Sequence, residues 1–217
     1  MTRIPCVCKR GIIDEEGYHL TAQCPVGNQR FRTHDAIAVT WVAVMKQAGF
    51  LCRIEDPSCF RELDDTNKRA DIVIDNWLDG KKGIFDVSVT HPWIQSADRA
   101  VPVAELAATL REQEKMRKYQ QHCPARTDFI PLVVETYGRW GPMARDVFEV
   151  CMTKIAAMKG MPKSAVVAYW RQRFSMVLQK YTAACVRERM QGAVVRESAT
   201  LGDESGRVDY RLLSFCR

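Results

Sequence analysis

The chain has 217 residues, a length that suits one ordinary domain with a small module, or two small domains. Its hydrophobic fraction of 47% and charged fraction of 27% are typical of a soluble globular protein with a packed core. The net charge of +6 fits a polyanionic partner without requiring one, and no apolar stretch has the length of a membrane span or the character of a secretory signal. We therefore expect an intracellular protein with reduced cysteines, of which Cys123, Cys151 and Cys185 are buried and inert.

The order of the predicted elements indicates a mixed α/β domain with a helical C-terminal part. Residues 1–30 show little periodicity, and a segment this short needs a metal or a neighbouring domain in order to fold. The remaining elements are a helix over 34–48, a strand over 50–55, a hairpin of strands over 70–75 and 83–90, a helix over 101–121, a strand over 129–135, and helices over 142–158 and 163–189. Thr33 or Asp35 would cap the first helix, and Asp79-Gly80 would form the hairpin turn.

Two aspartates of the predicted hairpin are candidates for metal binding. Asp71 and Asp86 each lie within a strand that is otherwise largely apolar. Buried carboxylates cost free energy unless they are paired or bind a cation. If the two strands pair, the carboxylates can converge, and a hard cation such as Mg²⁺ or Mn²⁺ would relieve their repulsion and activate a phosphodiester for hydrolysis. The alternative is that both aspartates face solvent at the ends of their strands.

Four potential zinc ligands cluster near the start of the chain. Cys6, Cys8, His19 and Cys24 have the spacing C-x-C-x₁₀-H-x₄-C. Three thiolates and an imidazole complete a tetrahedral zinc shell, and zinc would fold a segment that has no core of its own. The alternative is a weakly ordered arm with incidental cysteines.

The ordered set of motifs resembles the C-terminal part of site-specific non-LTR retrotransposon proteins. In that class a Cys-Cys-His-Cys knuckle precedes a restriction-like endonuclease of the PD-(D/E)XK superfamily. The matching segments are the four ligand positions 6, 8, 19 and 24; the basic stretch Arg30, Arg32 and His34; Arg69-Ala70-Asp71; Asp86-Val87-Ser88-Val89; Lys115-Met116-Arg117-Lys118-Tyr119; and residues 129–141.

This resemblance implies a restriction-endonuclease-like α/β fold, in which a mixed sheet is flanked by helices between an N-terminal zinc knuckle and C-terminal helices. The resemblance covers about residues 6–141 and implies a knuckle over 1–30 and a nuclease core over 31–141. Beyond it, the sequence itself predicts a helical extension over 142–190 and a flexible tail over 191–217.

The resemblance also implies a function, that of a Mg- or Mn-dependent endodeoxyribonuclease located in the nucleus. Asp71 and Asp86 would bind the catalytic metal, Lys115 or Lys118 would stabilise the transition state, and the knuckle would bind zinc. DNA would be held by four residues, Arg30, Arg32, His34 and Arg69. The implied partners are DNA and an RNA–protein retrotransposition complex, with neither a membrane nor a small-molecule substrate.

Two departures from the family's pattern keep an alternative open. Ala70 stands where the family has proline, and Ser88 stands where it has the lysine that follows the second aspartate. A catalytically inactive module on the same fold, which binds nucleic acid or protein, is therefore the rival hypothesis. A third is a helical interaction domain formed by residues 142–189. Trp140, Trp170 and Arg171 are candidates for contacts with bases or phosphates, with core packing as the alternative for the tryptophans.

Overall fold

The computed structural model of the protein describes residues 4–6, 8–13, 17–26, 29–56, 69–92 and 106–200. Two short strands and a single π-helical turn come first, followed by alternating helices and strands. The elements are β1 (Ile4–Pro5), β2 (Ile12–Ile13), the π-helix (His19–Gln23), α1 (Gln29–Gln47), β3 (Cys52–Asp56), β4 (Ala70–Ile74), β5 (Lys82–Thr90), α2 (Leu106–Tyr119), a 3₁₀ turn (Gln120–His122), β6 (Thr127–Glu135), α3 (Pro142–Lys159) and α4 (Lys163–Thr200). Among the helices of the described residues, none is long and apolar enough to cross a membrane.

The central sheet is mixed and has the strand order β3-β4-β5-β6. β3, β4 and β5 form an antiparallel meander, whereas β6 pairs with β5 in parallel after the chain has passed through α2. The predicted hairpin turn is confirmed, because Asp79 and Gly80 both have positive φ angles of 51° and 69°, as a type I′ turn requires. The pairing of β4 with β5 ends at Ile72 and Phe85, so the two strands diverge just where the aspartates lie.

Helices cover both faces of the sheet, which confirms the predicted α/β class. Ile72 and Ile74 of β4 point into a large core that α1, α3 and α4 complete. Val73, between them, points to the opposite face, where a smaller core includes Met116 and Tyr119 of α2. Strand side chains alternate between faces, and apolar residues at both parities therefore require cover on both sides.

Two buried carboxylates fix the helices around the sheet. Glu135, at the end of β6, accepts a hydrogen bond from the backbone N–H of Ala108 in the first turn of α2 (3.2 Å). Glu112 of α2 accepts from the N–H groups of Met143 and Ala144 at the start of α3 (3.2 Å each). Both side chains occupy the place where a helix leaves N–H groups unpaired. The position of α2, which carries Lys115, is thereby tied to β6 and to α3.

The N-terminal segment packs on the C-terminal helix. β1 and β2 pair as a two-residue antiparallel ladder, and Leu20 and the neighbouring cysteines contact Val186 of α4. Arg189 of α4 is only 1% exposed and donates hydrogen bonds to the carbonyl oxygens of Cys24 and Val26 (3.1 Å each). The N-terminal segment and the middle-to-late part of α4 around Val186 and Arg189 therefore form one contact region.

Several predicted helix boundaries are wrong. α1 begins at Gln29 rather than at residue 34, so Thr33 and Asp35 lie inside the helix and do not cap it. The Thr33 side chain is buried instead, with its hydroxyl 3.8 Å from Cys185 Sγ. α4 continues to Thr200, beyond the predicted end at 189, and thus includes part of the predicted flexible tail over 191–217. Residues 101–105 of the predicted second helix and residues 201–217 lie outside the described residues.

Candidate functional site

The four predicted zinc ligands converge on one point. One ligand atom from each of Cys6, Cys8, His19 and Cys24 lies within 4.8 Å of all the others. Cys6 Sγ is 3.7 Å from Cys24 Sγ, and Cys8 Sγ is 3.1 Å from His19 Nε2. A tetrahedral zinc shell with zinc–sulfur bonds of about 2.3 Å separates its sulfur atoms by about 3.8 Å. The donor set and its spacing therefore fit a metal such as zinc.

Local backbone geometry brings these ligands together. A tight turn after Cys6 is closed by hydrogen bonds from Lys9 N to Cys6 O and from Cys6 N to Gly11 O (2.9 Å each), and Lys9 has a positive φ of 58°. Gly11 lies against the imidazole of His19 so closely that a Cβ atom at this position would collide with the ring. The Cys24 N–H donates to the carbonyl oxygen of His19 (2.7 Å). The turn and the π-helix thus present two ligands each.

Burial disfavours the ionised form of at least one thiol in this cluster. Burial raises the pKa of the Cys6 thiol to about 11, so this thiol is neutral near pH 7 unless a cation stabilises the thiolate. At Cys8 burial acts in the same direction, but hydrogen bonding, including that from the Arg10 N–H to its sulfur (3.3 Å), holds its pKa below the usual value. A bound divalent cation would supply the charge that ionised thiolates require.

The second site lies where β4 and β5 diverge, and Asp71 is its first member. Asp71 Oδ2 accepts a hydrogen bond from the N–H of Val87 (2.7 Å). Val87 lies two residues beyond Phe85, the last residue of β5 that pairs with β4. Asp71 Oδ2 is also 3.1 Å from His34 Nε2 on α1. The hydrogen bond to Asp71 raises the pKa of His34 to about 9, although burial of the ring opposes the shift. Near neutral pH, Asp71 therefore faces an imidazolium.

Asp86 is the second member, and its partner is Lys115. The ammonium of Lys115, on α2, forms an ion pair with Asp86 Oδ2. Burial raises the pKa of Asp86 above its usual range; Lys115 opposes this shift, while the carboxylate of Asp71 adds to it. The charge of Asp71 is therefore close enough to Asp86 to affect its ionisation. Within the part of the chain that the structure describes, the Oδ1 atom of each aspartate forms no hydrogen bond.

The two candidate lysines occupy different environments. Lys115 is 8% exposed and reaches into the sheet, whereas Lys118 is exposed and lies over the ring of Tyr119, 5.2 Å from its centroid. The two lysines are three positions apart on α2. In a helix of 3.6 residues per turn, their side chains therefore point in directions that differ by about 60°. Only Lys115 of this pair contacts the acidic site.

Each predicted nucleic-acid-binding residue whose side chain the structure describes lies next to an acidic residue. Arg32 lies 3.6 Å from Glu188 of α4, and Arg69 lies 3.5 Å from Glu55 of β3. The side chain of Arg30 lies outside the described residues. Since positions two apart on a helix point in different directions, the alternate spacing of Arg32 and His34 gives them different partners. Contact of these residues with DNA remains a prediction.

His34 was predicted to contact DNA, and its contact with Asp71 was missed. A signal for it exists in the sequence, because Ile37, Trp41 and Val44 follow His34 at helical spacing and are all buried. His34 therefore lies on the core-facing stripe of α1. The Val87 N–H was also missed, since a backbone donor leaves no mark in the sequence.

Three further acidic residues have other partners. Glu135 caps α2, Glu55 contacts Arg69, and Asp35 Oδ1 lies 3.1 Å from His34 Nδ1.

Comparison with known proteins assigns no family. A scan of the chain against protein-family models found no match, and a search of curated proteins found no relative.

Proposed function

We propose that this protein is a metal-dependent DNA endonuclease on a restriction-endonuclease-like fold, similar to the target-cleaving domain of non-LTR retrotransposon proteins. The observation that carries the proposal is the convergence of Asp71, Asp86 and Lys115 at the divergence of β4 and β5. These three residues come from three separate elements, and the family resemblance implies a catalytic set of Asp71, Asp86 and either Lys115 or Lys118. A mixed sheet with helices on both faces supports the fold assignment.

The two aspartates would hold Mg²⁺ or Mn²⁺. Each has one oxygen engaged by a protein donor and a second oxygen that remains available, and hard divalent cations prefer such oxygen ligands. When bound, the cation would polarise a phosphodiester and lower the pKa of a bound water. The Val87 N–H and His34 would keep Asp71 oriented, which is the usual effect of hydrogen bonds to a ligating carboxylate.

Lys115 would substitute for the lysine that the family carries at the position of Ser88. Its ammonium approaches Asp86 from α2 rather than from the strand. A buried cation next to the reacting phosphate stabilises the additional negative charge of the transition state. The low exposure of Lys115 strengthens this effect, because water screens the charge less.

The N-terminal cluster would bind zinc and hold DNA beside the nuclease core, together with Arg30, Arg32 and Arg69. Such contacts would be electrostatic, and affinity should fall steeply with salt concentration. A nuclear location and participation in an RNA–protein retrotransposition complex belong to the same proposal.

A non-catalytic module that binds nucleic acid or protein is the second candidate. The observation in its favour is that each aspartate already has a protein cation beside it, Lys115 for Asp86 and protonated His34 for Asp71. Carboxylates neutralised in this way can be structural and need no metal.

An Asp71→Asn variant separates the two candidates. Because one metal ligand is lost, a nuclease should cleave DNA roughly 100-fold or more slowly in the presence of Mg²⁺. Its affinity for DNA should stay within about twofold of the wild type. Asp75→Asn, an exposed aspartate on the same hairpin, is the matched control and should cleave normally. Unchanged cleavage by Asp71→Asn would contradict the proposed site, and DNA binding without cleavage in the wild type would favour the second candidate.

A further inference from the structure

Arg189 of α4 is a buried cation without a carboxylate partner among the described residues. Only 1% of the residue is exposed. Its guanidinium donates a hydrogen bond from Nε to the carbonyl oxygen of Val26 and another from Nη2 to that of Cys24 (3.1 Å each). Within the described part of the chain, Nη1 forms no hydrogen bond and no acidic side chain pairs with this residue. A buried charge costs free energy unless an opposite charge lies nearby.

The four zinc ligands would supply that opposite charge when the metal is bound. Zinc binds cysteine as the thiolate and histidine as the neutral imidazole. Three thiolates, one imidazole and a divalent ion together carry one net negative charge. Three of the four ligands are buried, so water screens this charge poorly; the ligands are Cys6, Cys8, His19 and Cys24, of which Cys8 is half-buried.

Arg189 lies close enough to the cluster to balance this charge. Four covalent bonds join the carbonyl oxygen of Cys24 to its sulfur, so the guanidinium is within roughly 8 Å of a metal ligand. Val186, one turn earlier on α4, packs against the cluster, and this face of the helix therefore points towards it. At this separation and an effective dielectric constant of about 20, one unit charge changes a metal-binding constant by on the order of tenfold. Lys9 and Arg10 are exposed, so water screens their charges more strongly.

We propose that Arg189 is the counter-ion of the metal-loaded cluster and thereby couples zinc binding to the packing of α4. Its hydrogen bonds hold the backbone at Cys24 and Val26, and its charge offsets that of the thiolates. Arg189 is a positioning residue, because it acts on the ligands and does not itself bind the metal. The proposal rests on the zinc site of the proposed function and does not depend on DNA cleavage at the acidic site.

A double-mutant cycle on the full-length protein separates the charge of Arg189 from its hydrogen bonds. Arg189→Met removes both, whereas Arg189→Lys keeps the charge. Cys8→His changes the ligands to two thiolates and two imidazoles, which carry no net charge with zinc. Cys8 is the ligand with room for a larger ring, since it is the one that is not fully buried. Arg187→Met, an exposed cation on the same helix, is the matched control. Competition with a chromophoric chelator measures the zinc affinity of each variant.

With the native ligands, Arg189→Met should bind zinc on the order of tenfold more weakly than the wild type. Arg189→Lys should stay within about threefold and Arg187→Met within about twofold of the wild-type affinity, because the buried charge is retained in both. In the Cys8→His background, Arg189→Met should weaken zinc binding by at most about twofold, because the loaded cluster is then neutral.

An equal loss of zinc affinity in the two backgrounds, including a loss through unfolding, would overturn the counter-ion role and leave Arg189 with its hydrogen bonds alone. Equal losses in Arg189→Lys and Arg189→Met would also overturn it, and this comparison does not require Cys8→His to bind zinc. So would an unchanged affinity in Arg189→Met. A wild-type protein that takes up no zinc would overturn the zinc site together with this proposal. None of these outcomes decides whether the protein cleaves DNA, which the plasmid assay tests separately.

Discussion

Lys115 influences whether the buried carboxyl group of Asp86 is ionised and can bind a metal ion. Without its ammonium, the effects of burial and of the Asp71 charge on the pKa of Asp86 would be opposed only by the charge of His34, the smallest of these effects. The protonated form of Asp86 would then be favoured, and a neutral carboxylic acid is a poor metal ligand. The ion pair therefore favours the ionised form of Asp86.

Lys115→Met should reduce Mg²⁺-dependent DNA cleavage by on the order of 100-fold or more, because both the charge on Asp86 and stabilisation of the transition state are lost. Lys118→Met removes the same charge from the exposed side of α2 and should stay within about twofold of the wild type. Initial rates of plasmid nicking at neutral pH measure both. Equal losses in the two variants would point to a general electrostatic effect and against a special role for Lys115.

His34 should make stability depend on pH. Its pKa is raised by Asp71 from 6.5 to about 9, so the stabilisation is fully present below pH 6.5 and is lost as the pH rises through about 9. His34→Gln should therefore lower the free energy of unfolding by about 1–2 kcal/mol at the acidic end, a figure reduced for partial exposure to solvent. The difference should disappear at the alkaline end.

Urea denaturation in Mg²⁺-free buffer across this pH window measures the difference between wild type and His34→Gln. His122→Gln is the control, because within the described part of the chain the His122 ring forms its only hydrogen bond with the side-chain amide of the neighbouring Gln121. A difference in the free energy of unfolding that is constant with pH would show that Asp71 does not raise the pKa of His34.

At the residue level, the sequence predicts which residues come together in the zinc-ligand cluster and in the acidic pair better than it predicts their hydrogen-bond partners. Asp71 and Asp86 were recognisable because acids within apolar strands are conspicuous, and the four zinc ligands because they cluster where no core can form. The choice between Lys115 and Lys118 was left open, since either spacing fits a helix and only the packing of α2 on the sheet separates them. The pairing of His34 with Asp71 depends on how α1 crosses the sheet, which no local pattern records.

At the level of elements, the position of α2 depends on carboxylates that replace missing backbone partners. Glu112 is 2% exposed, and burial raises its pKa to about 7. It nevertheless accepts two backbone N–H groups of α3, and Gly141 leaves the space that its side chain occupies. The Glu112 side chain of α2 therefore caps the N-terminus of α3.

Glu112→Ala should lower the free energy of unfolding by about 1–3 kcal/mol, because two N–H groups at the start of α3 lose their acceptor. Glu114→Ala, at an exposed position on the same helix, removes only a surface ion pair with Arg111 and should change it by less than about 0.5 kcal/mol. Chemical denaturation measures both, and an equal effect of the two variants would contradict the capping role.

Element types were predictable because apolar periodicity is strong in this chain, as the hairpin, α3 and β6 show. The first and last residues of the elements were harder to predict from the sequence than the element types. The early start of α1 escaped prediction because Thr33 and Asp35 resemble caps, whereas Thr33 is instead buried against Cys185 of α4. That tertiary contact overrides the local signal.

On the scale of the whole molecule, the N-terminal cluster contacts α4 close to the start of α1, the helix that carries His34. The zinc-ligand cluster contacts Val186 and Arg189 of α4. The same helix lies against the start of α1, where Arg32 faces Glu188, two residues before His34. Loss of the metal should therefore loosen the packing of α4 as well as the N-terminal segment.

The purified protein should contain one zinc ion per chain, and Cys24→Ser should lose it together with part of its thermal stability. Cys52→Ser removes a half-buried thiol outside the cluster and should retain the metal. Elemental analysis of both variants, followed by thermal unfolding, measures the outcome. Zinc retained in Cys24→Ser, or absent from the wild type after expression in zinc-supplemented medium, would contradict the assignment.

The most direct test of nuclease function is nicking of supercoiled plasmid by the purified protein with Mg²⁺ or Mn²⁺, beside Asp86→Ala. Asp128→Ala, a partly exposed aspartate of β6 that pairs with Lys81, controls for the loss of an acidic side chain. We predict metal-dependent nicking by the wild type and by Asp128→Ala, and none by Asp86→Ala. Plasmid that stays supercoiled with the wild type, while still shifted on a gel, would contradict the nuclease and favour the binding module.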